Sequence, residues 1–221
     1  MCNAKAGVTS SDIREELDVI VNGPIDSPNI NIRPTNQVLT ITDKNPKEAE
    51  YFRWGIAIFS NGTLLKMATW NARYENLESG RTWKKLIGQK HCIVPVRGFY
   101  EWQWLDPKGK KKQPYFIKTA GERLTLMAGL WDETADPSTG EIIKSCSVIT
   151  LPANQMMAKI HNNGERMPAI LPKDKYKLWL DAEIPLSEKL ELIKTYPDNL
   201  LEAVPIQKVG DPEEFKQLAF C

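Results

Sequence analysis

The chain has 221 residues, of which 42% are hydrophobic and 26% charged, and its formal net charge is +1. This composition is typical of a globular protein with a buried core, and it excludes binding to nucleic acid through overall charge alone. No apolar run approaches the roughly 18 to 20 residues that span a bilayer, and the amino-terminal segment lacks the basic and then apolar plan of a secretory signal. We therefore expect an intracellular, monomeric protein without a membrane segment.

The chain begins Met1-Cys2. Removal of an initiator Met is expected when the next residue is small, and it would leave Cys2 with a free α-amine beside its thiol. Such an aminothiol condenses with an aldehyde to an imine, and the thiolate then closes a thiazolidine ring. Both groups are partly deprotonated near neutral pH, because their reference pKa values are about 8 and about 8.5. Cys2 is thus a candidate nucleophile; the alternative is a second residue without a chemical role.

The other cysteines do not indicate a metal site. No C-x-x-C pair is present, and only two histidines accompany the four cysteines, Cys2, Cys92, Cys146 and Cys221. We predict a reduced protein with no metal and no cofactor.

In the first third of the chain, the pattern predicts a helix over residues 10–21 with Ser11 or Asp12 as its N-cap. Strands are predicted over residues 38–42 and 50–59, the second with a bulge at Gly55. Residues 70–75 show no clear period. Because this polar stretch holds Asn71, Arg73 and Glu75 beside a Trp, it is either a site or a solvated loop.

Residues 92–96 are predicted to form a buried strand, followed by Gly98-Phe99-Tyr100-Glu101-Trp102-Gln103-Trp104. A period of two places Tyr100, Trp102 and Trp104 on one face, and Phe99, Glu101 and Gln103 on the other. If Glu101 lines an apolar cleft, burial should raise its pKa and allow acid and base catalysis near pH 7. The alternative is an exposed carboxylate at an edge.

The lysine-rich residues 106–112 resemble a hairpin tip, which we interpret as a solvated turn protecting a sheet edge. Strands are expected over residues 115–118, 124–131 and 142–150. A short helix then ends at His161, before a Gly- and Asn-rich loop and Arg166-Met167-Pro168. This His is either a proton shuttle or a structural residue.

Further elements are a strand over residues 169–171, helices over 173–180 and 186–195, and a strand over 201–206. Strands dominate the middle of the chain and helices flank it. We therefore predict a single α+β domain, residues 1–221, built on mostly antiparallel sheet.

The order of four motifs resembles that of the SRAP (SOS response-associated peptidase) family of abasic-site processing proteins, and the resemblance covers nearly the whole chain. These motifs are Cys2, Asn71-Ala72-Arg73-x-Glu75, Gly98-Phe99-Tyr100-Glu101-Trp102, and His161 with Arg166-Met167-Pro168. The resemblance implies twisted antiparallel sheets that form a barrel-like core with peripheral helices.

The resemblance also implies covalent capture of single-stranded DNA at an abasic site, by a thiazolidine on Cys2. Asn71 would hold the sugar and the amine, Glu101 would protonate the ring oxygen, and His161 would assist proton transfer. Removal of Met1 would be autoproteolytic. Arg73 and Arg166 would bind phosphates, and the other implied DNA contacts are Lys5, Trp54 and Phe59.

The sequence departs from the family pattern in three places. The family's aromatic wedge after Trp-Gly is represented here by Trp54-Gly55 followed by Phe59. The family usually begins MCGR, whereas this chain reads Met1-Cys2-Asn3-Ala4-Lys5, so an early phosphate contact from Arg is either missing or replaced by Lys5. The compact HDRMP motif is expanded here to HNNGERMP, residues 161–168.

Two other functions explain some of the same residues. One is a hydrolase of the N-terminal-nucleophile type, a peptidase or amidohydrolase that uses Cys2, Glu101 and His161. The other is a single-strand binding module without covalent chemistry, in which aromatic side chains stack on bases.

Overall fold

The fold is described from a computed structural model that covers residues 3–22 and 28–219. Its strands are β1 (Ala4–Ala6), β2 (Ile20–Val21), β3 (Gln37–Thr42), β4 (Glu48–Trp54), β5 (Phe59–Ser60), β6 (Thr63–Leu64), β7 (Asn71–Arg73), β8 (His91–Val96), β9 (Gly98–Trp104), β10 (Lys112–Thr119), β11 (Thr125–Ala135), β12 (Ile142–Pro152), β13 (Arg166–Pro168), β14 (Ile170–Leu171) and β15 (Leu201–Pro205). Its α-helices are α1 (Ser10–Leu17), α2 (Gln155–Ile160), α3 (Tyr176–Leu180), α4 (Leu186–Leu192) and α5 (Pro212–Ala219).

Five strands close into a barrel. β8 pairs antiparallel with β3 and β11, β3 pairs antiparallel with β4, and β11 pairs antiparallel with β12. A parallel contact between β12 and β4, with Cys146 opposite Trp54, completes the ring. The prediction of an α+β fold with a barrel-like core of mostly antiparallel strands is confirmed.

A second sheet, in the order β1-β9-β10-β15, packs against the barrel. The period-two prediction for β9 holds, because Phe99 belongs to the main core while Tyr100 belongs to a smaller cluster on the opposite face. Phe215 of α5 covers that smaller cluster through an edge contact with Phe116 at 5.9 Å. The face of β9 that carries Phe99 therefore packs against the main core of the protein.

Helix α1 is shorter than the sequence predicted, and the predicted N-cap is wrong. Thr9 is the N-cap, and its hydroxyl and the carboxylate of Asp12 form a capping box. The helix ends where Asp18 adopts the left-handed conformation with φ 55°. Ile20, which falls within the predicted helix, is instead an exposed residue of β2.

Two other predicted segments differ from the structure. The strand predicted over residues 50–59 is interrupted, because β4 ends at Trp54 and Gly55 takes φ +122°. The stretch over residues 70–75, which has no sequence period, contains β7 and a 3₁₀ turn at Tyr74–Asn76. β7 is ordered by its parallel pairing with β12, a tertiary contact that local sequence does not report.

A buried ion pair fixes α1 against the second sheet. Arg97, between β8 and β9, donates from Nη2 to Asp12 Oδ1 at 2.5 Å and from Nε to Oδ2 at 3.0 Å. Both side chains are less than a tenth exposed. The backbone N–H of Arg97 also donates to Ala6 of β1 at 2.9 Å, so the same residue ties β1 to the barrel.

We predict that Asp12→Ala lowers the free energy of unfolding by about 3 to 5 kcal/mol, because it removes the carboxylate that accepts from the buried Arg97 guanidinium and also the capping-box contact with Thr9. Urea denaturation measures the change. The matched control is Glu15→Ala, which removes a carboxylate from the same helix, where it pairs with Arg123 at the surface; this variant should unfold close to wild type. Equal losses in the two variants would contradict the role assigned to the buried pair.

Candidate functional site

The pairing of β1 with β9 places the start of the described chain beside Glu101. Ala4 lies opposite Tyr100 and Lys5 opposite Phe99 in an antiparallel register. The chain preceding Ala4 therefore runs in the direction of Glu101, and Asn3 is the next residue on that path. Residues opposite one another in a ladder share a face, so Lys5, Phe99 and Glu101 all point toward the core.

Glu101 is almost completely buried. Removal from water penalises the carboxylate, and this burial raises the pKa of Glu101 to about 7, although the charge of Lys5 acts in the opposite direction. The group is therefore divided between acid and base near neutral pH. This is the condition that general acid and base catalysis requires, and it confirms that Glu101 is not an exposed edge residue.

Lys5 and Trp54 lie behind the site, not at the surface. Both are fully buried, and the Lys5 ammonium sits 2.7 Å from the centroid of the Trp54 ring, a cation–π contact. The structure therefore offers neither side chain to a DNA phosphate or base. Their position suits a supporting role, because the Lys5 charge acts on Glu101.

Trp70 and Asn71 meet the same end of the chain. The Trp70 indole N–H donates to the side-chain oxygen of Asn3 at 2.9 Å, and its backbone carbonyl accepts from the indole of Trp54 at 2.8 Å. Asn71 follows directly, buried on β7 opposite Val148. The structure thus brings the Asn of the NARxE motif into the region where the amino-terminal segment lies.

His161 caps the end of α2 and is buried. Burial lowers the pKa of His161 to about 4, so the ring is neutral at physiological pH. Its Nδ1 lies 3.1 Å from both the backbone nitrogen and the carbonyl oxygen of Arg166, so it accepts from the N–H or donates to the carbonyl according to the tautomer. Gly164 lies against the ring, since a Cβ there would be 2.8 Å from Cε1. The expanded loop therefore still holds the imidazole closely.

Arg166 is held by the NARxE motif. Its guanidinium donates to both carboxylate oxygens of Glu75, at 2.5 and 2.9 Å, and to the carbonyl of Thr150 at 2.5 Å. The hydrogen bond from Arg166 lowers the pKa of Glu75. Arg73, in contrast, is exposed on β7. The two arginines expected to bind phosphates therefore differ: one is fixed inside the protein and the other faces solvent.

Phe59 lies half-buried at the base of the two-stranded hairpin β5–β6. The exposed apolar side chains of this hairpin are Leu64, Leu65 and Met67. Sequence reasoning assigned them no role. The available signal was the stretch Leu64-Leu65-Lys66-Met67 close after the turn at Asn61-Gly62, in which Lys66 is the one polar residue.

Cys2 lies outside the described residues. Within those residues, no group of three or more His, Cys, Asp or Glu side chains is arranged to hold a metal ion. The free thiols of Cys92 and Cys146 are buried, and burial raises the pKa of Cys146 to about 11. Neither is therefore a nucleophile at neutral pH. None of the helices in residues 3–22 and 28–219 is long and apolar enough to cross a membrane.

The family model described as "SOS response associated peptidase (SRAP)" matches residues 1–212. "Abasic site processing protein YobE" of Bacillus subtilis (strain 168) is 32% identical over 190 residues, which cover 84% of each chain. "Abasic site processing protein HMCES" of Gallus gallus is 35% identical over 167 residues, covering 64% of this chain and 48% of that protein.

Solved structures share the fold. A Bacteroides thetaiotaomicron protein superposes with a TM-score of 0.76 and 25% identity, covering 96% of this chain and 97% of its own. A Bordetella bronchiseptica protein gives a TM-score of 0.80 at 24% identity, over 94% of this chain and 100% of its own.

The raised pKa of Glu101 makes stability depend on pH. The carboxyl group titrates near 7 in the folded protein and near 4.5 when unfolded, so its ionisation weakens folding as the pH rises through this window. We predict that Glu101→Gln gains stability relative to wild type between pH 4.5 and 7, reaching about 3 kcal/mol above pH 7. Urea denaturation at pH 5 to 8 tests this, with exposed Glu78→Gln as the control. If the difference in the free energy of unfolding between Glu101→Gln and wild type stays constant with pH, Glu101 does not have a raised pKa.

Proposed function

We propose that this chain, which belongs to the SOS response associated peptidase (SRAP) family, processes abasic sites in DNA by forming a covalent adduct through Cys2. The observation that carries the proposal is the β1–β9 register, which directs the chain from Ala4 through Asn3 toward buried Glu101. Cys2 is bonded to Asn3, and consecutive Cα atoms lie about 3.8 Å apart. On this ground we assign the amine and thiol of Cys2, once Met1 is removed, to the same site as this carboxyl group.

The first step is opening of the abasic deoxyribose. Protonated Glu101 donates its proton to the ring oxygen as the bond from C1 to that oxygen breaks. The C1 hydroxyl loses its proton, which His161 accepts directly or through water, and the sugar becomes an aldehyde. A carboxyl with a pKa of about 7 supplies the acid form without abolishing the base form, and neutral His161 can accept a proton.

The second step joins the aldehyde to Cys2. The α-amine adds to C1 and forms a carbinolamine, which loses water with the help of a proton donor and becomes an imine. The thiolate then adds to the same carbon and closes the thiazolidine ring. One aldehyde and one aminothiol thus give one ring and one water, and holding both nucleophiles on one residue supplies the proximity that this reaction needs.

The DNA is proposed to be single-stranded at the lesion, because an abasic position has no base to unstack. Exposed Arg73 is the residue we assign to a flanking phosphate. Arg166, already bonded to Glu75 and Thr150, holds β13 and the backbone contact to His161, and can offer at most part of its guanidinium to DNA. Asn71 is assigned to the sugar and to the amine of Cys2.

The covalent product separates this function from the alternatives. We predict that wild type, mixed with single-stranded DNA containing an abasic site, gives an adduct that survives denaturation and lacks the mass of Met1. Cys2→Ala should give none, while Cys92→Ala, which removes a buried thiol, should react as wild type does. Intact mass spectrometry measures both the formation of the adduct and the loss of Met1.

Retention of Met1 in the adduct would exclude the thiazolidine. Turnover of a peptide or amide substrate without any DNA adduct would favour the N-terminal-nucleophile hydrolase. Binding of DNA that Cys2→Ala does not change, again with no adduct, would favour a binding module.

The pH dependence of adduct formation should follow Glu101. Raising the pH above about 7 depletes its acid form, whereas His161, with a pKa of about 4, adds no inflection between pH 6 and 8. We predict that Glu101→Gln slows the reaction by about 100-fold or more and removes the inflection near pH 7, while binding persists. Single-turnover rates at several pH values measure this. An unchanged rate and profile would assign Glu101 a structural role only.

A further inference from the structure

We propose that a lysine-bearing hairpin beside His161 binds the phosphate backbone of the DNA strand that flanks the abasic nucleotide. This lysine hairpin is the turn between β9 and β10, residues 104–112. The proposal rests on the function proposed above and extends it to a second contact region. The lysines concerned are Lys108, Lys110, Lys111 and Lys112.

The fold of the tip concentrates positive charge. Asp106, its single carboxylate, accepts from the backbone N–H groups of Lys108 at 2.9 Å and Lys111 at 2.5 Å, which lowers the pKa of Asp106. Gly109 takes φ +61° and lies on the Trp104 indole, where a Cβ would be 2.6 Å from ring atoms. The turn is thus compact, and the carboxylate of Asp106 faces the backbone. The four lysines are exposed. Because the net charge of the whole chain is only +1, they form a local concentration of positive charge.

The lysine hairpin is fastened to the loop that follows His161. The side chain of Asn162 accepts from the Trp104 N–H at 3.0 Å and donates to the Trp104 carbonyl at 2.9 Å. Gln103 donates to the carbonyl of Lys159 at 3.2 Å. A groove of about 530 Å³ lies between hairpin and loop, lined by Trp104, Leu105, Asp106, Pro107, Asn162 and Asn163. Asn162, which lines the groove, directly follows His161 in the chain.

The same contact weakens the edge-protection interpretation of the lysines. Charged residues often prevent an open strand edge from pairing with another chain. Here both backbone groups of Trp104 are already bonded to Asn162, so the edge at this position is closed. Protection of the edge at Trp104 therefore does not account for the lysines.

Position and charge favour DNA as the occupant. Lys112 lies opposite Trp104 and shares its face of β9, which is the face opposite to Glu101. Trp104 is three residues along the strand from Glu101, or about 10 Å at about 3.3 Å per residue. The Lys112 ammonium sits 5.1 Å from the Trp104 ring centroid, which holds the charge at the rim of the groove. The loop that follows His161 carries one carboxylate, Glu165, and its side chain is exposed to solvent. The four lysines of the hairpin therefore outnumber the carboxylates, Asp106 and Glu165, on the two sides of the groove. A DNA strand that leaves the abasic sugar and passes around the end of β9, where the lysine hairpin lies, would meet these cations with its phosphates.

Binding of DNA with a tetrahydrofuran abasic analogue, which has no aldehyde, tests this without covalent reaction. Two oligonucleotides are compared: one with a single nucleotide on each side of the analogue, and one with long single-stranded flanks. The variant carries Lys→Gln at positions 108, 110, 111 and 112. The control carries the same charge change at four other exposed lysines, Lys84, Lys85, Lys175 and Lys177.

For the long oligonucleotide, the hairpin variant should bind on the order of tenfold more weakly than the control at low salt. The slope of its affinity against salt concentration should become shallower by about 0.7 for each phosphate that the variant no longer neutralises. For the short oligonucleotide, variant and control should bind alike. Equal binding of the long oligonucleotide by both variants would overturn the proposal, as would an equal weakening for both lengths.

Crosslinking to a short oligonucleotide with a natural abasic site keeps the two proposals separate. The hairpin variant should form this adduct at the wild-type rate, because its lysines lie outside the reacting groups. If wild type forms no adduct, the proposed function fails, whereas the binding comparison still decides whether the lysine hairpin contacts DNA.

Discussion

The pairing of β1 with β9 is the constraint on which the candidate site depends. It buries Lys5 and Glu101 on one face, where the ammonium packs on Trp54 and its charge opposes the rise in the pKa of Glu101. Burial raises the pKa of this carboxyl group, and the hydrogen bond from the Trp102 backbone and the charge of Lys5 limit the rise to about 7. The register that creates this environment also leads the amino-terminal segment toward it.

Strand β12 connects the other motifs. It pairs with β7, which carries Asn71, and with β13, which begins at Arg166. Glu75 and Arg166, 91 residues apart in the chain, therefore form a bidentate ion pair. Arg166 in turn holds the ring of His161 through its backbone. The two separate sequence motifs are therefore joined by one connected set of hydrogen bonds that ends at the imidazole.

Local sequence patterns predicted correctly which face a side chain occupies when that depends on the alternation within a single strand. The alternation in residues 98–104 separated Phe99 and Glu101 from Tyr100, as observed, and the apolar strand over residues 92–96 lies in the core. Patterns failed where a distant partner decides. β7 exists through β12, and the helix predicted to reach residue 21 ends early because Ile20 pairs with Glu48 of β4.

The sequence by itself determined the α+β class, the mostly antiparallel strands and the identity of the candidate residues, because side-chain alternation and motif order are properties of the chain alone. Only the tertiary structure decided that Lys5 and Trp54 lie inside, that Arg166 is held by Glu75, and that Glu101 and His161 have shifted pKa values. The reason is physical: burial and charge coupling depend on which distant strands close around a group, and closure of the barrel sets both.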